Sequence, residues 1–130
     1  MNDLNLAPLC LVFTIKSDYS FSMDTIIHAE LKKIKDRIVN TISVERIYLF
    51  GSYARGEVNK DSDLDLYVVL KDDVQLRDID AAIKIRQAIC EEQTMPIDLL
   101  VMKNSQYLER KIAPTLERKV AREGILLYGA

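Results

Sequence analysis

The chain has 130 residues, 48% hydrophobic and 29% charged, with a formal net charge of −2 and a pI near 5.4. That length gives one domain with a real core and no room for a second lobe. The acidic balance argues against binding a nucleic-acid polymer, which calls for a basic excess. No apolar run reaches the length of a membrane span.

Residues 1–22 fit the remainder poorly, and Met23-Asp24 opens a clear amphipathic pattern. We therefore expect a non-essential extension over 1–22, of the kind an upstream start codon adds, ahead of a functional domain over 23–130. Within the extension, Leu9–Ile15 is apolar but has no basic residue before it, which argues against a secretory signal. Its other reading is an edge strand or a cover over an apolar patch. Cys10 and Cys90 are far apart and make no metal-ligand spacing, so both are expected to be reduced, as in a cytoplasmic protein.

From Asp24, a candidate N-cap, to about Asn40, Ile27, Leu31, Ile34 and Ile38 recur at helical spacing. His28, the only histidine, neighbours no other ligand type and reads as a solvated side chain. Ile42 to Phe50 is rich in β-branched and aromatic residues and predicts a strand ending at Gly51. Ser52 to Gly56 predicts one helical turn with Gly56 as its stop. A polar loop over 57–62 follows, then a second strand from Leu64 to Leu70, too apolar on both faces to lie at a water-facing edge.

The chemistry concentrates in this stretch. Ten residues after Gly51-Ser52 comes Asp63-Leu64-Asp65. In a strand, side chains alternate, so Asp63 and Asp65 leave one face. Two adjacent carboxylates repel unless a cation sits between them, and hard oxygen ligands favour magnesium or manganese. Gly51-Ser52 offers backbone N–H groups and a hydroxyl to a phosphate. A phosphate cradle beside a metal clamp reads as a nucleoside-triphosphate site.

Leu76 to Glu92 predicts a second long helix, and Pro96 to Met102 a third strand. Asn104 can cap a short helix through Tyr107 and Leu108. Pro114 suits the first turn of a last helix that Gly124 ends, and Ile125–Tyr128 forms a short apolar tail or edge strand. The charges Arg110, Lys111, Arg118, Lys119 and Arg122 alternate with Glu109, Glu117 and Glu123, which reads as a solvated, salt-bridged helix face. The short link between strands one and two implies an antiparallel pair. The helical link between strands two and three implies a right-handed parallel crossover. The result is an α/β (α+β) fold, a small mixed sheet packed with helices. It brings Gly51-Ser52, Asp63, Asp65 and the start of strand three together. Asp98 lies there, and an acidic residue in so apolar a strand rarely tolerates unpaired burial; a structural salt bridge is its other reading.

Gly-Ser, ten residues, Asp-x-Asp is the signature of the nucleotidyltransferase superfamily that includes DNA polymerase β. The run GSYARGEVNKDSDLDL resembles its minimal nucleotidyltransferases, and the order of elements agrees from about Met23 to Gly129. The resemblance implies a nucleotidyltransferase fold, with Asp63 and Asp65 ligating two Mg²⁺ ions (or Mn²⁺) and Asp98 as the third carboxylate. It places Gly51 and Ser52 on the phosphates of ATP or another nucleoside triphosphate. Arg55, in the GSxARG run, is expected to touch a phosphate, whereas Lys60 reads as a solvated charge. Among the tyrosines flanking the site, Tyr48 and Tyr67 are expected to help the core, with one of Tyr48, Tyr53 and Tyr67 as the candidate to stack on a base.

The chain has no length for an acceptor-binding domain, so something else must present the hydroxyl. Minimal nucleotidyltransferases resembling this one are commonly paired, as antitoxins, with a helical HEPN protein, and they move AMP from ATP to a tyrosine of that partner. A small-molecule nucleotidyltransferase of the aminoglycoside-modifying kind is an alternative, and so is an antitoxin that neutralises its partner by contact alone. A homo-oligomer remains open.

Overall fold

Period-two apolar runs become strands and longer periodic runs become helices in the computed structural model, which describes residues 18–56 and 63–129. The elements are α1 (Asp18–Thr41), β1 (Val44–Phe50), α2 (Ser52–Arg55), β2 (Leu64–Leu70), α3 (Asp78–Ile89), β3 (Ile97–Lys103), α4 (Asn104–Arg110), α5 (Leu116–Glu123) and β4 (Ile125–Tyr128). The chain divides into two compact units after Lys32. Asp18–Lys32, the first part of α1, falls in one; the rest of α1 and every strand fall in the other. No described helix is long and apolar enough to cross a membrane.

The four strands form one sheet in the order β3-β2-β1-β4. β1 runs antiparallel to both β2 and β4, while β2 and β3 are parallel, with α3 as the crossover. This is the mixed sheet expected from the link lengths. β2 is interior, as its composition requires. Leu64, Leu66, Val68 and Leu70 are fully buried on one face; Tyr67 and Val69 are buried on the other.

Both faces of the sheet therefore need cover. Ile34, Ile38, Ile85 and Ile89, from α1 and α3, are buried to 1% or less. On the second face Tyr67 and Val69 pack with Tyr107 of α4 and Val120 of α5, joined by Tyr48, Phe50 and Met102. The rings interlock, with Tyr67 and Tyr107 centroids 5.8 Å apart and Phe50 edge-on to Tyr67 at 6.4 Å.

Several local expectations need correction. Helix α1 begins at Asp18, so Asp24 lies inside it and is not its cap. Asn104 is the first residue of α4 and not its N-cap; its side-chain oxygen accepts a hydrogen bond from Arg46 at 3.1 Å. Thr115, and not Pro114, sits at the start of α5, accepting from the Arg118 N–H at 3.3 Å. Gly124 ends that helix at φ −72°, outside the left-handed region, and a Cβ there would lie 2.5 Å from the Val120 carbonyl oxygen. Cys90 is a free thiol and exposed. Leu9–Ile15, Cys10, the loop over 57–62 and Lys60 lie outside the described residues.

The helix face expected to be solvated is not uniformly so. Glu117 is buried, accepting a hydrogen bond from the Tyr67 hydroxyl at 2.7 Å and one from Arg110 Nε at 2.9 Å. Burial alone would push its carboxyl up, but these donors hold it below the ordinary glutamate range. The same burial and the carboxylate partner push the Tyr67 phenol well up. Charge alternation in the sequence cannot show this, because only packing decides which turn of α5 faces the aromatic cluster.

Candidate active site

The sheet register assembles the site. Phe50 pairs with Asp65 across β1 and β2, and Asp65 pairs with Asp98 across β2 and β3. Paired residues on neighbouring strands project to the same face, so the Gly51 corner, Asp65 and Asp98 stand in a row at one end of the sheet. Leu64 is tied to the same end by its N–H, which donates to the Pro96 carbonyl at 3.0 Å. Asp63 immediately precedes β2 and is exposed.

Gly51 has φ 76° and ψ −153°, a conformation essentially reserved for glycine. Space excludes a side chain as well. A Cβ there would overlap the Asp65 carboxylate, with Cγ only 2.9 Å away. The strand can thus turn into α2 directly against the carboxylate. Ser52 opens α2, whose first intrahelical bond runs from the Arg55 N–H to the Gly51 carbonyl at 3.1 Å. Gly56 closes the turn in the left-handed conformation, φ 75°, as expected.

Asp65 is partly buried, and its carboxyl is pushed above the ordinary aspartate range. Burial is the largest cause, followed by the charges of Asp98 and Asp63 and a hydrogen bond shared with Asp98; Arg55 opposes them. The electrostatics therefore link Asp63, Asp65, Asp98 and Arg55. Among the described residues, however, no group of three or more His, Cys, Asp or Glu is arranged to hold a metal ion. The donor set still suits a hard divalent cation: it is all oxygen, and Asp65 has a like-charge burden that a cation would lift.

Parallel pairing of β2 and β3 sets Asp98 beside Asp65 as expected, but the expected burial does not hold. It is exposed and not buried, because β3 is an edge strand on which Ile97 and Leu99 are buried and Asp98 and Leu100 face out. Tyr67 is committed to the core and its bond with Glu117, and Tyr48 packs against the same cluster. Tyr53 is partly buried in α2. Reading the basic residues of α5 as solvated missed that Leu116 and Lys119 line a cavity beside Gly51. The only sequence signal was the i, i+3, i+7 spacing of Leu116, Lys119 and Glu123.

A family model described as "Polymerase beta, Nucleotidyltransferase" matches residues 32–130. A protein of Methanocaldococcus jannaschii named "Putative protein adenylyltransferase MJ0604" is 33% identical over 85 residues, covering 65% of this chain and 79% of that protein. A crystal structure described as "the toxin-antitoxin with AMP-PNP" superposes with a TM-score of 0.55 at 27% identity, covering 78% of this chain and 73% of that one. A crystal structure from Sulfolobus solfataricus described as "a putative nucleotidyltransferase" shares the fold, with a TM-score of 0.51 at 19% identity and 78% of each chain covered.

Proposed function

Since this chain belongs to the polymerase β nucleotidyltransferase family, we propose that it moves AMP from ATP onto a tyrosine hydroxyl of a helical HEPN-type partner, as the antitoxin of a toxin–antitoxin module. Nucleotidyl transfer is the family's chemistry. The choice of ATP and of a protein acceptor is supported by the relative named as a protein adenylyltransferase and by the toxin–antitoxin structure described with AMP-PNP. The observation that carries the reading is the register that sets the Gly51 corner, Asp65 and Asp98 in one row.

In this mechanism Asp63, Asp65 and Asp98 would hold two magnesium ions, which would supply charge neutralisation at the triphosphate and a lowered pKa for the attacking hydroxyl. Gly51 and Ser52 hold the β- and γ-phosphates, and Arg55 steadies the phosphate charge. The acceptor oxygen attacks the α-phosphorus, its bond to the β-phosphate oxygen breaks, and pyrophosphate leaves. Asp98, exposed beside Asp65, accepts the hydroxyl proton. Positioning and charge account for most of such a rate enhancement.

The test is to incubate the chain with Mg²⁺, ATP and the helical protein encoded beside it, and to follow the partner by mass spectrometry. One or more AMP units on a partner tyrosine is the expected result, lost in Asp63→Asn and Asp65→Asn. Transfer to a small molecule without any partner, or neutralisation without a mass change, would replace the acceptor assigned here. Turnover retained in either variant would remove the site.

A further inference from the structure

The two edges of the sheet differ. β4 is four residues long, whereas β3 runs for seven, with no proline or glycine in it and no charge from Leu99 to Met102. An edge strand of that kind is a template for a further strand unless something covers it. Along a parallel strand, the N–H and C=O of one residue point to one side and those of the next to the other. The Leu64 N–H donates to the Pro96 carbonyl at 3.0 Å, which sets the alternation. Asp98, Leu100 and Met102 bond β2, while Ile97, Leu99 and Val101 turn their groups outward. At Ile97 the outward carbonyl is taken by Arg86 Nη1, 3.3 Å away. Among the described residues, nothing bonds the outward groups of Leu99 and Val101.

This open edge adjoins the carboxylate row. Asp98 and Leu100 project to the face that carries Asp65, and both are exposed, Leu100 by 39%. Packing in the core does not explain a large apolar side chain left in water two residues from the carboxylate assigned to the proton. Residues diagonal to one another on adjacent strands lie about 7–8 Å apart, a span that an aromatic side chain bridges and a short one does not.

We propose that the free edge of β3 takes up an extended segment of the partner as a fifth strand, hydrogen-bonded to Leu99 and Val101. The acceptor tyrosine stands opposite Leu100, its ring against that side chain and its hydroxyl reaching diagonally to Asp98. The acceptor class is therefore a tyrosine in a strand-forming stretch outside the partner's helices. A second copy of this chain fits less well, because β3 contains no hydroxyl to receive a nucleotide and its pairing would cover Asp98. The proposal rests on the nucleotidyl-transfer reading above.

The test uses the full chain with the helical protein encoded beside it. Amide hydrogen exchange, read residue by residue by NMR, should slow about tenfold or more at Leu99 and Val101 when the partner is added. Leu100 and Met102, already bonded to β2, serve as internal controls. In transfer assays, Val101→Pro removes one outward N–H and leaves the β2 ladder intact, and Leu100→Ala removes the ring contact. Each should lower kcat/KM for the partner about fivefold or more, with KM for ATP unchanged. Partner binding without slower exchange at Leu99 and Val101, or full transfer in both variants, overturns the proposal and leaves the function standing. So do amides already protected in the chain alone, as pairing with a second copy would make them. A wild type that modifies no tyrosine overturns both. If Val101→Pro does not fold, amide exchange and Leu100→Ala decide.

Discussion

Asp65 pairs with Asp98 in the sheet, lies near Asp63 and is overhung by the backbone of Gly51, so ionising its carboxyl is unfavourable. A carboxyl raised above its unfolded value contributes stability while protonated and loses it as pH rises through the folded value. At pH 7 the charge therefore strains the fold. Asp65→Asn should stabilise the metal-free protein by up to about 1 kcal/mol, a rise of roughly 4 °C in Tm, since partial exposure limits the effect. Mg²⁺ should raise the Tm of the wild type and not that of Asp65→Asn, because a ligand stabilises only the state that binds it. Equal Mg²⁺ shifts in the two proteins, measured by differential scanning calorimetry against a chelator control, would separate this carboxylate from cation binding. At this scale the sequence was informative. The spacing of Gly51-Ser52 and Asp63-x-Asp65 marked the corner, although the glycine-only backbone and its contact with Asp65 needed coordinates.

Among the elements, α5 departs furthest from its sequence pattern. Its charges alternate as a solvated helix would, yet it turns Glu117 inward to meet Tyr67 and Arg110 and leaves Leu116 outward. A carboxylate held below its unfolded value contributes stability above that value, and this contribution is lost as pH falls through the folded one. Glu117→Leu should then cost about 1–3 kcal/mol at pH 7, because the buried Tyr67 hydroxyl loses its carboxylate acceptor. The difference from wild type should shrink as pH falls from the ordinary glutamate value through the lower folded one, where the native carboxylate takes up its proton. Urea unfolding across pH 3 to 7 checks both the size and the trend; a cost that is constant with pH would mean that only packing was lost. Strand β3 shows the same limit of sequence reading. Its apolar composition suggested burial for Asp98, but edge position exposes alternate residues whatever their neighbours in sequence.

Across the whole molecule, the family match begins at residue 32 and α1 begins at Asp18, on either side of the expected boundary at Met23. We propose that residues 1–22 are dispensable. Their removal shortens α1 by five residues, and the ends of helices are where such losses are cheapest. The truncated protein should keep its circular dichroism spectrum and its transfer activity; insolubility or lost turnover would show that the segment belongs to the domain. The sequence by itself determined the order of elements and the antiparallel-then-parallel pairing of β1, β2 and β3. Hydrophobic period and link length are local properties, and they leave few ways to connect three strands. Only the tertiary structure decided the exposure of Asp98, the burial of Glu117 and the cavity beside Gly51. Each depends on which surfaces distant elements press together, and that information is not carried by neighbours along the chain.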